Sequence, residues 1–168
     1  MGRVHHRRVD RSQVHRSQVH RNGVIDQIEI GAPPERVWEV FTDFPAFPTW
    51  NPFITALEGK LEPGRRLRVT LRLGSRLVRL RPEVTVVRPA REIRWLVRQP
   101  IRGIFDVERV FEFEPLASSG TRFAQWEVGR GLLAPVIMAI VGPMIARGYA
   151  ALNRSLRMRV EARVEAEP

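Results

Sequence analysis

Between Val24 and Val128 the chain is a series of short segments in which apolar and polar residues alternate, and this pattern constrains the fold most. Side chains of a strand point alternately to opposite faces of a sheet, so each segment predicts a strand with one buried face. The clearest is 67–73, where leucine and valine alternate with arginine and threonine, and the other predicted strands are 24–30, 53–58, 77–87, 92–97, 104–114 and 121–128. Six or seven such segments at hairpin spacing predict an antiparallel sheet with one solvent-exposed face.

Beyond Leu133 the alternation ends, and apolar residues recur at three- and four-residue steps up to Leu156. This spacing predicts one long amphipathic helix, with a kink or a new start at Gly142-Pro143. After the first strand, 31–41 predicts a short helix and 43–52 a helical turn. The whole pattern predicts an α+β fold in which a curved six- to seven-stranded antiparallel sheet wraps around a long C-terminal helix.

The N-terminal residues differ in composition from the rest. Residues 10–22 read DRSQVHRSQVHRN, in which the unit Arg-Ser-Gln-Val-His occurs twice and begins a third time. The repeat is too polar and too short to form a core, so we predict a disordered tail over 1–23 and one domain over 24–165. All four histidines of the chain lie in this tail.

The net charge of +10 does not by itself indicate nucleic-acid binding. Half of it comes from residues 1–23, and among the 28 lysines and arginines only Lys60 is a lysine, a skew typical of codon bias. Nucleic acid is therefore not a predicted partner. The arginines predicted on the outer sheet face form either a solvated surface or a site for anionic lipid headgroups or an acidic protein; they are Arg66, Arg68, Arg72, Arg79, Arg81 and Arg94.

Several classes of active site are excluded by residue type. The chain has no cysteine, and from Val24 onward it has no histidine. Zinc sites built on these residues, Ser-His-Asp triads and Cys-His dyads are therefore absent from the predicted domain. No phosphate-binding loop or dinucleotide fingerprint occurs, and we predict no metal and no cofactor. Proton transfer would depend on carboxylates, Tyr149 or Lys60.

The last predicted hairpin places polar residues on an apolar face. Phe105, Val107, Arg109, Phe111 and Phe113 share one face of its first strand, and Phe123, Gln125 and Glu127 share one face of the second. A turn centred on 117–119 pairs Arg109 with Glu127, whereas a two-residue shift pairs Arg109 with Gln125. A buried charge needs a partner, so we expect an Arg109–Glu127 ion pair. It would fix the register, anchor a ligand's polar group or, through Glu127, act in acid–base catalysis.

Three motifs resemble the helix-grip fold of the SRPBCC superfamily: 32–40 (APPERVWEV), 47–53 (FPTWNPF) and 120–123 (GTRF). That superfamily includes START lipid-transfer domains, polyketide cyclases and birch-pollen-allergen-like proteins. The resemblance spans 24–165 and implies an internal cavity between the sheet and the last helix. A ligand cavity of ordinary size measures about 300–1,000 Å³.

The resemblance implies a protein that binds or carries a lipid, polyketide or aromatic molecule. One alternative is a polyketide cyclase or aromatase-like enzyme, with Glu127, Arg109 and Tyr149 as candidate catalytic residues. Another is an interaction protein that uses its basic outer face. The predicted ligand-binding residues are Trp50, Asn51, Trp95, Phe105, Arg109, Phe111, Phe123, Gln125, Glu127, Met144 and Gly148.

The apolar stretch 131–146 is the part of the sequence that could contact or span a membrane. It is shorter than the ~20 residues that span a bilayer and contains two prolines, so we predict no transmembrane span. It is nevertheless more apolar than covering a sheet requires, which is compatible with peripheral membrane contact. The N-terminus has no secretory h-region, and we predict a cytoplasmic protein, either monomer or homodimer.

Overall fold

A computed structural model describes residues 18–98, 101 and 103–166 of the chain. The elements follow the predicted order of strand, short helices, further strands and long helix, and a 3-10 turn at Phe44–Ala46 joins the first two helices. In order, the elements are β1 (Gln18–His20), β2 (Gly23–Ile30), α1 (Pro34–Thr42), α2 (Phe47–Trp50), β3 (Ile54–Glu58), β4 (Arg68–Leu73), β5 (Arg76–Leu80), β6 (Glu83–Arg88), β7 (Glu92–Val97), β8 (Asp106–Pro115), β9 (Thr121–Arg130) and α3 (Ala134–Glu165).

The strands form two connected antiparallel sheets. Six strands pair in the order β1-β2-β9-β8-β7-β6, and three pair in the order β3-β4-β5. A bridge between Arg66 and Glu83 joins them, and Leu67 N donates to Pro82 O over 2.9 Å. The single strand predicted over 77–87 is thus divided into β5 and β6, because Pro82 between them has no N–H for a ladder. With α3 against the curved sheet, the predicted α+β helix-grip fold is confirmed.

The long C-terminal helix continues through its internal proline. Pro143 lies inside α3, one helix of 32 residues, so the predicted new start at Gly142-Pro143 is wrong, while the alternative, a kink there, stays a prediction. Gly142 faces β1 and β2, where an added Cβ would lie 3.1 Å from Val19. By length and composition α3 could cross a membrane, with a mean hydropathy of 1.5 over its most apolar window, yet it packs on the sheet as the central helix of the fold.

The predicted disordered tail is too long at its C-terminal end. Gln18–His20 form β1, which pairs with β2 so that Val19 lies opposite Val24. The second Gln-Val-His unit alternates polar and apolar residues, and Val19 covers the small surface of Gly142, which explains why this unit joins the sheet. Residues 1–17 lie outside the described residues, and the tail predicted there stays a prediction.

An aromatic cluster fills the end of the grip beside α1. The ring of Phe41 lies 4.8 Å from Phe111, 5.2 Å from Phe123 and 5.7 Å from Phe113, measured between centroids. All four side chains are buried. Aromatic rings and not open space therefore occupy the inner face at this end of the sheet.

Candidate functional site

The inner face of the sheet is arranged in rows that run across β7, β8 and β9. At one end of these strands Val97, Val107 and Gly129 form an apolar row. The next row holds Trp95, Arg109 and Glu127. A third row holds Ile93, Phe111 and Gln125, extended to Asp26 on β2, and a fourth pairs Phe113 with Phe123. Of the two hairpin registers that the sequence leaves open, the structure has the one predicted from the position of the turn, with Arg109 opposite Glu127.

α3 matches these rows at four-residue steps. Ile145 lies near the apolar end, Tyr149 next to the ion-pair row and Asn153 next to Gln125. Residues four apart lie on one face of a helix, so a single stripe of α3 meets each row in turn. The polar side chains of the helix thus face the polar side chains of the sheet.

A cavity of about 170 Å³ lies between the first two rows and α3. Its buried lining residues include Trp95, Arg109 and Glu127, which form a floor. Its half-buried lining residues form the mouth, which is bordered by the β4–β5 hairpin, the end of β7, the start of β8 with the residue before it, and the start of α3. These residues are Leu73, Val78, Leu80, Val97, Phe105, Val107, Ile137 and Val141. The cavity is smaller than the range that the family resemblance implied, because the aromatic cluster fills the other end.

The polar part of the floor is a buried ion pair with a third member. Arg109 Nη2 and Nε donate to Glu127 Oε2 over 2.8 and 3.2 Å, and the hydroxyl of Tyr149 donates to the same oxygen over 3.0 Å. The guanidinium also lies over two aromatic rings, 5.0 Å from the centroid of Tyr149 and 5.4 Å from that of Phe53. Within the described chain, Glu127 Oε1 receives no hydrogen bond.

The three groups differ in what they can do with protons. Burial lowers the pKa of Arg109, but Tyr149 and Glu127 outweigh burial and raise this pKa above its usual value. Burial raises the pKa of Tyr149 well above its usual value, and the negative charge of Glu127 adds to this effect while Arg109 opposes it. Near neutral pH Arg109 is therefore a fixed cation and Tyr149 a fixed hydrogen-bond donor.

A second polar group lies behind the ion pair. Gln125 Nε2 donates to Asn153 Oδ1 over 2.6 Å, and Asn153 Nδ2 donates to Asp26 Oδ2 over 2.9 Å. These three residues are buried and join β9, α3 and β2. The amides hold α3 in register against the sheet and so fix Tyr149, one turn earlier, over Glu127.

The predicted ligand-binding residues fall into two sets. Trp95, Phe105, Arg109 and Glu127 line the cavity. The other seven predicted residues are outside its lining: Trp50, Asn51, Phe111, Phe123, Gln125, Met144 and Gly148. Among the candidate catalytic residues, Tyr149 contacts the floor through Glu127.

The residues outside the lining have visible structural partners. Asn51 Oδ1 accepts hydrogen bonds from Phe53 N and Ile54 N over 3.1 and 2.9 Å and so fixes the start of β3. Trp50 packs with its ring centroid 5.2 Å from that of Phe47. Met144 is half-buried on α3, and Gly148 lies under the ring of Phe53.

Most of the apolar residues that form the mouth of the cavity were not predicted from the sequence. The β4–β5 hairpin supplies Leu73, Val78 and Leu80, and α3 supplies Ile137 and Val141. The signal for the helix was present, because Ile137, Val141 and Ile145 follow each other at four-residue steps. No comparable signal pointed to the hairpin, since alternation predicts a buried face without telling which space that face borders.

The sequence matches the family profile described as polyketide cyclase / dehydrase and lipid transport over residues 23–161. This match covers most of the chain, and the protein belongs to that family. A comparison with curated proteins finds no match in sequence.

Solved structures confirm the fold. A START superfamily protein from Mycobacterium smegmatis is 22% identical with a TM-score of 0.66, and the match covers 84% of this chain and 98% of that one. A Thermus thermophilus protein is 21% identical with a TM-score of 0.65 and coverages of 83% and 97%. The Zhui aromatase/cyclase from a Streptomyces species is 17% identical with a TM-score of 0.65 and coverages of 84% and 94%.

Proposed function

We propose that this protein binds a hydrophobic small molecule in the cavity between α3 and the sheet. The observation that carries the proposal is the build of the cavity: an apolar, half-buried mouth leads to a buried floor where Arg109 and Glu127 are accessible from the lining. Ligand sites are mostly apolar, with a few polar groups that fix orientation. Membership of a family described by cyclase and lipid-transport activities supports the same conclusion.

The size of the cavity limits the buried part of the ligand. An apolar cavity of about 150 Å³ is known to hold benzene, and the cavity here measures about 170 Å³. The buried part is thus about one ring or a short branched chain, and the remainder extends through the mouth. A polar group at the buried end would meet Glu127 Oε1, which has no hydrogen bond within the described chain, and the guanidinium of Arg109.

A second candidate is a cyclase-type enzyme, favoured by the carboxylate on the cavity wall. General acid–base catalysis works best when the group's pKa lies near the operating pH. The raised pKa values of Arg109 and Tyr149 keep both groups protonated near neutral pH, so neither can accept a proton there, and Glu127 is the carboxylate of the trio. One carboxylate held by three donor contacts fits ligand positioning better than catalysis, so binding is the leading proposal.

Blocking the mouth tests the proposal. We expect Val141→Trp to weaken binding of the neutral fluorophore N-phenylnaphthylamine at least about tenfold, since Val141 lines the mouth and an indole would occupy the ligand's space. Affinity is measured by fluorescence titration. Val164→Trp is the matched control, because Val164 lies on the same helix, 40% exposed and outside the cavity lining. Equal affinity of both variants and the unmodified protein would refute binding in this cavity.

The Glu127→Gln variant distinguishes the two candidate functions. For a binding protein, Glu127→Gln changes the affinity for the fluorophore only modestly, because the apolar walls remain. For a cyclase, the same change abolishes turnover of a polyketide substrate while the fold persists. Circular dichroism of the variant verifies that the fold is retained.

A further inference from the structure

Exposed apolar side chains concentrate at the start of α3. Leu132 is 83% exposed, Ile140 66% and Val136 58%, and Leu133 beside them is also exposed. We call these four residues the α3 apolar patch. The loop before β8 is attached to it, since Leu132 N donates to Gly103 O over 2.9 Å, and this loop carries the exposed Ile101. Scattered exposed apolar residues are normal, but a contiguous group marks a contact surface.

The patch is continuous with the mouth of the cavity. Ile137 and Val141, on the neighbouring face of the same helical turns, line the mouth. Across the mouth lies the β4–β5 hairpin, whose half-buried Leu73, Val78 and Leu80 face the cavity. Only 28% of the most apolar window of α3 is buried, so the helix carries more apolar surface than the sheet covers. The apolar surface therefore surrounds an opening rather than a flat wall.

Unpaired arginines border this surface. Arg147 lies seven residues beyond Ile140 on the same face of α3, which is about 10 Å along the helix. Arg76 follows the tip of the hairpin on the face that carries Leu73, and both arginines are exposed and form no ion pair with any residue that the structure describes. An apolar centre with a cationic border matches the interfacial region of a bilayer that contains anionic lipid.

The charge of the protein also indicates which partner the α3 apolar patch binds, a second copy of the chain or a membrane. A second copy of the chain would bring the same arginines to the contact, and each chain carries a net charge of +10. Like charges at a contact repel, whereas an anionic surface attracts this border. The surface thus suits a membrane better than self-association.

We propose that the α3 apolar patch docks on the surface of membranes that contain anionic phospholipid. The four apolar side chains enter the interface between headgroups and acyl chains, and Arg147 and Arg76 contact lipid phosphates. This docking is independent of whether the cavity holds a ligand. If it does, the mouth faces the lipid and the ligand enters from the bilayer.

The test is co-sedimentation of the full-length protein with vesicles. We expect binding to vesicles of phosphatidylcholine mixed with phosphatidylglycerol and much weaker binding to phosphatidylcholine alone. Ile140→Asp and Leu132→Asp should each lower the partition coefficient about tenfold or more, because a charge replaces an inserted side chain. Arg147→Gln should lower it about fivefold, as expected for one interfacial cation worth ~1 kcal/mol.

Met158→Asp is the matched control. Met158 is 71% exposed on the same helix but lies beyond Arg147, outside the patch, so its replacement should leave the partition coefficient unchanged. The full N-terminal tail is present in every variant, so its arginines contribute equally to each measurement.

Three outcomes would overturn the proposal. In the first, the protein stays in the supernatant with both kinds of vesicle. In the second, Ile140→Asp and Leu132→Asp bind as well as the unmodified protein, which would assign binding to arginines alone. In the third, sedimentation velocity shows a dimer that Ile140→Asp dissociates, which would make the patch a self-interface. None of these results affects fluorophore binding in the cavity, which is measured separately.

Discussion

Replacing Glu127 by alanine is expected to lower the free energy of unfolding by about 3–5 kcal/mol. The carboxylate accepts two hydrogen bonds from Arg109 and one from Tyr149, and all three side chains are buried. Its removal leaves a buried guanidinium without a counter-charge and a buried hydroxyl without an acceptor. Urea unfolding followed by circular dichroism measures the change.

An exposed ion pair is the control for this prediction. Arg68 and Glu58 pair on the outer face of the three-stranded sheet, with side chains 70% and 63% exposed. Because exposed pairs contribute little, Glu58→Ala should cost less than about 1 kcal/mol. A loss of less than about 1 kcal/mol for Glu127→Ala as well would show that the pair is hydrated and that the floor of the cavity is wet.

The double variant Arg109→Met/Glu127→Leu adds a further expectation. Replacing both members of a buried ion pair by apolar side chains is often neutral or stabilising. We therefore expect the double variant to be more stable than Glu127→Ala alone. That result would mean that stability does not require the pair, in agreement with a role in ligand binding.

Gly148→Ala is expected to destabilise the protein by about 1–3 kcal/mol through overpacking. A Cβ at this position would lie 2.7 Å from Phe53 Cγ and closer still to two other atoms of the ring. Phe53 is buried between α3 and Arg109, so its ring has little freedom to move away. The change would press Phe53 toward the guanidinium and disturb the floor; thermal unfolding measures the loss of stability.

Gly142→Ala is the matched control on the same helix. Its Cβ would lie 3.1 Å from Val19 Cγ1 and 3.7 Å from Val24. Val19 is a partly exposed side chain at the sheet edge and can shift, and alanine favours a helix over glycine by up to about 1 kcal/mol. We expect no loss of stability there. Equal effects at both glycines would contradict the close packing of Phe53 on α3.

The sheet and its most informative register could be predicted because period-two alternation is strong in β8 and β9. A buried arginine on an otherwise apolar face required a partner, and Glu127 was the carboxylate of matching parity. The limits of β2, β7 and α1 were also close to the predicted ones. These features follow from local sequence patterns and from the need of a buried charge for an oppositely charged partner on the neighbouring strand.

The cavity wall was less predictable because it depends on long-range packing. Phe111 and Phe123 share the parity of Arg109 and Glu127, yet α1 inserts Phe41 against them and fills that end. The family resemblance implies Trp50 and Asn51 as ligand-binding residues, but Asn51 accepts hydrogen bonds from the backbone at the start of β3. Alternation cannot tell which stretch of an inner face borders space and which borders side chains.

Two local errors have specific causes. The strand predicted over 77–87 is broken by Pro82, which interrupts the ladder while the chain direction continues. The polar repeat predicts a disordered tail up to residue 23, whereas Val19 pairs with Val24 and the second repeat unit joins the edge of the sheet. In each segment one residue, Pro82 or Val19, determines the local structure that the composition of the segment does not predict.

Native mass spectrometry of the full-length protein tests the central claim most directly. After incubation with N-phenylnaphthylamine, we expect one bound molecule per chain for the unmodified protein and for Val164→Trp, and none for Val141→Trp. Any ligand that co-purifies should show the same dependence on Val141. A protein that keeps its unliganded mass in all three forms, while remaining folded, would contradict the proposal that this cavity binds a hydrophobic small molecule.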